Sequence, residues 1–229
     1  MSLKRNTVLK PIVFVACLGP VLLLAFKGLS QFLPLPGPLS RVAAFTGDLG
    51  ANPIEVITRS TGFWTLMFLL ITLSVTPVRK LTGIHRLIQY RRMLGLFAFF
   101  YGTLHFTTYI WLDKFFDLHE VVKDIGKRPF ITVGFSAFVL MIPLAITSTT
   151  GWIRRLGGKR WNRLHQLIYA SASLGVIHFY WLVKKDIRRP VLYGSILAVL
   201  LFYRVLVKAA ASWGKRQLPQ PVRTRPAEQ

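Results

Sequence analysis

Long uncharged apolar runs alternate with short charged clusters along the whole chain. A helix that crosses a bilayer needs about 20 apolar residues. Six runs are close to that length or exceed it, at residues 11–29, 60–76, 93–112, 129–152, 164–183 and 190–207. The first could instead be a signal peptide, but no A-x-A-like site follows it, which favours an uncleaved span. The pattern predicts an all-α integral membrane protein, a bundle of about six transmembrane helices.

The charged clusters predict the orientation of this bundle. The segments 1–10, 77–92, 153–163 and 208–229, together with Arg204, hold 19 Lys or Arg and one acidic residue, whereas the opposite segments hold 11 and seven. By the positive-inside rule, both termini are therefore expected in the cytoplasm. We expect a single membrane domain over residues 11–207 and a basic cytoplasmic tail over 208–229, whose polar, proline-rich end is disordered.

Composition agrees with a membrane protein and excludes several other classes. Of the 229 residues, 52% are hydrophobic and 17% are charged, against about 25% charged in soluble domains. The net charge of +22 would suit nucleic acid, but the basic residues flank apolar runs, so membrane lipid and not nucleic acid is the expected surrounding. Cys17 is the only cysteine, which excludes an internal disulfide, a cysteine-ligated iron–sulfur cluster and a C-x-x-C-H haem attachment site.

Two of the five histidines lie inside predicted spans within the same local pattern. Gly102 and His105 belong to G-x-L-H-F in the third span, and Gly175 and His178 belong to G-x-I-H-F in the fifth. Both histidines are expected roughly 8–10 Å below the outer surface, with a glycine about one turn away. A single such histidine could simply bond a neighbouring helix, and the recurrence could be chance. Two opposed imidazoles, with space opened by glycine, are what a six-coordinate haem iron requires.

A third histidine, His165, lies 13 residues before His178, about 20 Å lower along an ideal helix. The intervening turn of roughly 220° would point it away from the His178 face unless a bulge or a loosened first turn intervenes. The offset of 73 residues between the two motifs maps His165 onto Arg92. Arginine can pair with haem propionates but is not expected to bind iron. A second haem would need another ligand, either His85 or a non-protein group.

Other functions remain open at this stage. A transporter or proton-relay protein using membrane histidines is the main alternative, although such proteins commonly place acidic residues in their spans and the six runs contain none. The hydroxyl cluster at residues 147–150 is a candidate quinone site, but such side chains more often bond backbone carbonyls or end a helix. No G-x-G-x-x-G or room for a nucleotide-binding fold follows the last run. Electrons from NADPH would therefore have to reach this chain through another protein.

Several segments together resemble one family of membrane proteins. They are GANPIE at 50–55, RSTG at 59–62, RRMLGLFAFFY at 91–101, KRPFITVG at 127–134 and W-x-x-L-H at 161–165. The chain resembles, over roughly residues 8–207, the MsrQ (YedZ) family of haem-binding membrane subunits of the bacterial methionine sulfoxide reductase system. That family is part of the ferric reductase-like transmembrane group, with NADPH oxidases as distant relatives.

The resemblance implies a function, cofactors and partners. It implies haem b, one or two per chain, bound by His105, His165 and His178 in the bacterial inner membrane. It implies electron delivery to MsrP, a periplasmic molybdenum-containing reductase that repairs methionine sulfoxide, from the quinone pool or a cytoplasmic flavoprotein. FMN is also linked to the family. The wider group often has four haem-ligating histidines, whereas this chain has Arg92 in the fourth place.

Overall fold

The computed structural model describes residues 2–33, 36–183 and 185–217, and every regular element within those ranges is a helix. The helices are α1 (Ser2–Phe32), α2 (Gly37–Thr46), α3 (Pro53–Thr82), α4 (Arg91–Thr108), α5 (Leu118–Lys127), α6 (Pro129–Ile146), α7 (Thr150–Leu164), α8 (Leu167–Leu182) and α9 (Arg188–Gln217). A 3₁₀ helix, His85–Tyr90, precedes α4, and a π-helical turn, Tyr109–Asp113, follows it.

The predicted all-α membrane architecture is confirmed. Among the described residues, five segments are long and apolar enough to cross a membrane: Leu9–Phe32, Pro53–Thr82, His85–Asp113, Pro129–Ile146 and Arg188–Trp213. The remaining predicted span corresponds to the shorter apolar helix Leu167–Leu182. The predicted disordered end of the tail lies outside the described residues, whereas the start of the tail continues α9 as far as Gln217.

Capping chemistry explains where α3 begins and ends. The Asn52 side chain accepts a hydrogen bond from the Glu55 amide, and Pro53 occupies the first turn, where its missing N–H costs nothing. Gly83 ends the helix in the left-handed conformation at φ 70°, which glycine adopts without a Cβ penalty. These signals extend α3 well beyond the predicted span 60–76 at both ends.

The predicted fourth and fifth spans differ most from the observed helices. The predicted span 129–152 ends as a helix at Ile146, because the Thr147 hydroxyl donates to the Pro143 carbonyl and the Thr149 side chain then caps α7. At the other end of α7, a turn at residues 165–166 separates it from α8. A loosened turn at this point is one of the two departures from an ideal helix that could redirect His165.

Four helices form the centre of the bundle. Helix α3 packs along α4, α6 packs along α8, and the two pairs meet through contacts of α4 with α6 and of α3 with α8. Helices α1 and α9 lie against this centre. Tyr101 of α4 fixes α1, because its fully buried hydroxyl donates to the Cys17 carbonyl at 2.9 Å and accepts from the Val21 amide at 3.1 Å.

The bundle has two chemically different ends. We call the paired-histidine end the one formed by the first turns of α3 and α6 and the last turns of α4 and α8. The α7 end is the opposite one, where α3 and α6 finish and α4 and α8 begin. By the charge pattern, the paired-histidine end is predicted to face outward and the α7 end to face the cytoplasm.

Candidate functional site

His105 and His178 meet between the two helix pairs, as the repeated motif predicted. Their ring centroids are 6.2 Å apart, and the ring planes are inclined by 71°. His105 lies near the end of α4 and His178 near the end of α8, so both approach the centre from the same end of the bundle. The two residues are thus side by side at one depth in the apolar core.

Each of these imidazoles is oriented by a backbone carbonyl of the neighbouring helix. Nδ1 of His105 donates to the Thr58 carbonyl oxygen of α3 at 2.8 Å, and Nδ1 of His178 donates to the Phe130 carbonyl oxygen of α6 at 2.6 Å. A carbonyl oxygen can only accept, so in each ring the proton is on Nδ1. Both Nε2 atoms therefore keep a free lone pair, as in metal-bound histidines whose other nitrogen is held by an outer partner.

Glycines of the neighbouring helices make room for both rings. A Cβ placed on Gly62 of α3 would lie 2.9 Å from Cε1 of His105. A Cβ placed on Gly134 of α6 would lie 2.6 Å from Nδ1 of His178. Local sequence pattern did not single out these two glycines as site residues, because each precedes its histidine by 43 or 44 residues on another helix.

The donor set fits haem better than a bare ion. Across the described part of the chain, no three His, Cys, Asp or Glu side chains come together as a metal cluster. The site thus offers two neutral imidazoles and nothing else of this kind. Haem iron takes its four equatorial nitrogens from the porphyrin and needs only axial ligands from the protein. The facing pair His105 and His178 fits that requirement.

The predicted glycines Gly102 and Gly175 have different neighbours. A Cβ on Gly102 would lie 2.9 Å from Cε of Met141, and one on Gly175 would lie 3.9 Å from Cδ1 of Leu66. Both positions therefore allow helices to pack closely, and neither would touch an imidazole. A direct contact of these two glycines with a cofactor stays a prediction.

His165 lies at the α7 end, in the turn between α7 and α8. Its ring stacks on Trp161 at a centroid distance of 3.8 Å, and Nδ1 donates to the Trp161 carbonyl oxygen at 3.1 Å. Nε2 is buried and has no hydrogen-bond partner. His165 is thus oriented like the other two histidines, but no second imidazole faces it. His85, the candidate second ligand, is exposed.

Arginines line the α7 end near His165. Arg204 of α9 donates to the Tyr169 hydroxyl at 2.9 Å and to the Leu73 carbonyl oxygen at 2.5 Å. Arg91 is half-buried and lies close to Tyr169 and Arg204, whereas Arg92, the residue predicted for this role, is exposed. The predicted cofactor contact of Arg92 therefore stays a prediction, and Arg91 is the arginine that the helix turns inward.

Unpartnered polar atoms are concentrated at this end. Among the described residues, the buried side-chain nitrogens and oxygens without a hydrogen-bond partner are Thr76 Oγ1, Arg79 Nε, Gln89 Nε2, His165 Nε2 and Arg204 Nε. Thr76 and Arg79 lie in the last turns of α3, Gln89 in the 3₁₀ helix, His165 in the turn before α8, and Arg204 in α9. Leaving such groups unpaired is costly, so this end is suited to a polar ligand.

The hydroxyl cluster at residues 147–150 has structural roles. Thr147 and Ser148 donate to carbonyls four residues earlier in α6, and Thr149 caps α7. Trp161 donates its indole N–H to the Thr147 carbonyl oxygen at 2.9 Å. These hydroxyls satisfy backbone groups at a helix boundary, which was the structural alternative to a quinone site.

An ion-pair network around Asp124 of α5 lies beyond the paired-histidine end. The Asp124 carboxylate of α5 accepts from Lys114 Nζ at 2.6 Å, from Arg128 Nε at 3.3 Å and from the Tyr109 hydroxyl at 3.1 Å. Its side chain is only 8% exposed. The hydrogen bond from Lys114 holds the pKa of Asp124 below its usual value. The network fixes α5 against the end of α4, next to the histidine pair.

Comparisons with known proteins agree with this architecture. The family described as "Ferric reductase like transmembrane component" matches residues 60–176, which are 117 of the 229 residues and include His105 and His165, and the match ends two residues before His178. No solved structure matches the chain.

Several similar proteins carry the name "Protein-methionine-sulfoxide reductase heme-binding subunit MsrQ". The protein from Herminiimonas arsenicoxydans is 58% identical over 183 residues, which cover 78% of this chain and 82% of that protein. The proteins from Azospira oryzae and Ralstonia nicotianae are 53% and 55% identical, over 78% and 72% of this chain and 78% and 76% of their own lengths. The chain is a multi-pass membrane protein that belongs to the ferric reductase-like transmembrane family and, within it, to the MsrQ family.

Proposed function

We propose that this chain is a membrane electron carrier that holds haem b between His105 and His178. The observation that carries the proposal is the facing pair of imidazoles, each with Nδ1 bonded to a carbonyl and Nε2 free. Haem b bound there would supply a one-electron redox centre with two axial histidines. The names of the relatives, which describe heme-binding subunits, support the same cofactor.

The protein's own contribution at this site is orientation and exclusion of water. The Thr58 and Phe130 carbonyls hold the two rings in one tautomer and raise their basicity as ligands. The ring of Phe130 lies beside His178, with ring centroids 6.3 Å apart, and helps to keep the site apolar. Low polarity and fixed ligands reduce the rearrangement that accompanies a change of charge, which suits electron transfer.

We place electron entry at the α7 end. Its unpartnered donors, which include Arg79 Nε, Gln89 Nε2 and Arg204 Nε, would bond ligands that carry oxygen acceptors. The propionates of a second haem, the phosphate of FMN and the oxygens of quinol all present such acceptors. His165 is the residue that could bind iron if that ligand is a second haem. Quinol or a cytoplasmic flavin reductase would then be the electron donor.

We place electron exit at the paired-histidine end. The shared naming of the relatives as subunits of a protein-methionine-sulfoxide reductase supports a catalytic reductase as the acceptor. With the charge pattern predicting an outward-facing histidine pair, the acceptor is the periplasmic, molybdenum-containing subunit MsrP, and the location is the bacterial inner membrane. The chain is then the electron-transfer subunit, and repair of oxidised periplasmic proteins is carried out by its partner.

The test is the sidedness of the haem in right-side-out membrane vesicles. The protein is reduced by a quinol from the membrane, and ferricyanide, which does not cross membranes, is then added outside. We expect sharp cytochrome b bands that ferricyanide removes in right-side-out vesicles and removes much more slowly in inverted ones. We call the haem proposed between His105 and His178 the outer haem. Vesicles that contain His178→Ala supply the baseline without it. Faster oxidation in inverted vesicles would contradict the proposed direction, and colourless wild-type protein would contradict the cofactor.

A further inference from the structure

We propose that Gly62 and Gly134 are positioning residues for the two histidine ligands, and that each leaves a helix carbonyl open to a hydrogen bond from the imidazole. The inference rests on the proposed haem function of His105 and His178. It concerns two residues outside the G-x-x-H motifs, on the helices that face the histidines.

The same arrangement occurs twice. The carbonyl that accepts from His105 belongs to Thr58, four residues before Gly62 on α3, and it also accepts from the Thr61 hydroxyl at 3.0 Å. The carbonyl that accepts from His178 belongs to Phe130, four residues before Gly134 on α6. Residues four apart share one face of a helix. Each histidine thus meets a carbonyl and a glycine one turn apart on the same face.

Helix geometry explains why glycine is needed at that position. A helical side chain covers the turn N-terminal to its own Cα, so a side chain at position 134 would cover the Phe130 carbonyl. A carbonyl oxygen has two lone pairs, and one of them serves the helix ladder. With glycine at position 134, the second lone pair is accessible from the side, where Nδ1 of His178 approaches to 2.6 Å.

The available space is too small for a methyl group. A Cβ on Gly134 would lie 2.6 Å from Nδ1, 2.8 Å from Cε1 and 3.0 Å from Cγ of His178. One on Gly62 would lie 2.9 Å from Cε1 and 3.0 Å from Nδ1 of His105. Both contacts involve the ring itself and not a flexible chain end. Alanine would therefore turn the ring and lengthen the bond to the carbonyl, more at Gly134 than at Gly62.

The expected consequences are specific to the ligand field. A longer Nδ1–H···O bond makes the imidazole a weaker donor to ferric iron, so the midpoint potential rises. A turned ring changes the low-spin g-values in electron paramagnetic resonance. Loss of an outer partner of a metal-bound histidine typically weakens metal retention about tenfold or more. A glycine needed only for helix packing would change none of these quantities.

The test compares purified wild-type protein with Gly134→Ala, Gly62→Ala and Gly95→Ala. Gly95 is the matched control, because it lies inside α4 and a Cβ there would be 3.7 Å from Cγ2 of Thr72, an ordinary contact. We expect changed g-values and a more positive midpoint potential in Gly134→Ala, smaller changes of the same sign in Gly62→Ala, and wild-type values in Gly95→Ala. Wild-type values in both site variants would overturn the inference.

A second pair of variants covers the case in which Gly134→Ala retains no haem. In His178→Gly, free imidazole takes the place of the tethered ring and can choose its own orientation. If Gly134 acts on ring position, adding Gly134→Ala to His178→Gly leaves haem binding with imidazole unchanged. Failure of the double variant to bind haem would overturn the inference, because alanine would then have disrupted the fold. Absence of a low-spin haem signal in wild type would instead overturn the proposed function.

Discussion

The two ends of the bundle both hold half-buried histidines, yet they satisfy their polar groups in opposite ways. At the paired-histidine end, each imidazole donates to a carbonyl, and the neighbouring Asp124 network pairs its charges. At the α7 end, His165 is also oriented by a carbonyl, but its Nε2 and four other buried polar atoms have no partner within the described chain. The first end is preorganised by the protein, whereas the second has buried polar atoms that the described chain does not pair.

This difference indicates how a small electron carrier can separate its two tasks. Two histidine ligands must keep their orientation when the redox state changes. The carbonyl and the glycine beside each ring hold it in place. A donor site must accept and release a polar molecule or hold one with oxygen acceptors. The half-buried arginines Arg91 and Arg204, beside Tyr169, suit that task.

The largest expected effect on haem binding comes from removing one histidine of the facing pair, and it should contrast with the effect of removing His165. His105→Ala should abolish the outer haem, because one imidazole cannot replace the axial pair. His165→Ala should leave the low-spin signal of the outer haem unchanged and remove at most a second haem. Haem per protein and the electron paramagnetic resonance spectrum of both purified variants check this. Loss of the outer signal in His165→Ala would show that the ends are coupled.

A smaller effect is expected from breaking the ionic network that covers the preorganised end. Asp124→Asn leaves Lys114 and Arg128 without their shared carboxylate, and removing one partner of a buried pair costs on the order of 3 kcal/mol. Thermal unfolding in detergent measures this loss. Glu120→Gln is the control, because its pair with Lys123 lies in a more exposed position, where solvent screens the charges, and its loss should leave thermal unfolding nearly unchanged.

The pH dependence of the same network has a definite sign. The pKa of Asp124 is lowered in the folded protein. Asp124 therefore stabilises the fold at pH values above the ordinary aspartate pKa of about 3.9. That contribution is lost as the pH falls through the lower pKa of the folded state. Melting temperatures between neutral pH and about pH 3 should therefore converge for wild type and Asp124→Asn. A constant difference over that range would contradict the assigned role of the carboxylate.

The smallest effect on stability is expected at the α7 end. Arg204→Lys keeps the charge but loses the fork that reaches both Tyr169 and Leu73, which should cost about 1–2 kcal/mol. The outer haem spectrum should stay unchanged, while reduction by quinol or by a flavin reductase becomes slower. Unfolding and stopped-flow reduction measure the two quantities. An altered outer spectrum would contradict the separation between the ends.

The sequence predicted the helical bundle and the histidine pair well, because both leave local signals. Span-length apolar runs and the repeated G-x-[LI]-H-F pattern specify helices, depth and direction. Helix ends were less predictable. Composition alone extends the fourth span to Trp152, although the hydroxyls at 147–149 end α6 and start α7. Capping signals within residues 147–149 could have corrected that boundary.

The contacts between helices could not be read from local pattern. Gly62 and Gly134 act on rings that lie 43 and 44 residues later in the chain, so only the packing of α3 on α4 and of α6 on α8 brings them together. The inward arginine was also missed. A repeat offset pointed to Arg92, but consecutive helix residues differ by about 100° in direction, and α4 turns Arg91 inward instead.

The central claim is that two histidine side chains, His105 and His178, hold one iron. Electron nuclear double resonance on the ferric protein, prepared with nitrogen-15 histidine, tests it most directly. We expect hyperfine couplings from two imidazole nitrogens in wild type and in His165→Ala, and loss of that two-nitrogen pattern in His105→Ala and in His178→Ala. Coupling to a single histidine nitrogen in wild type, or an unchanged spectrum in His178→Ala, would contradict the account.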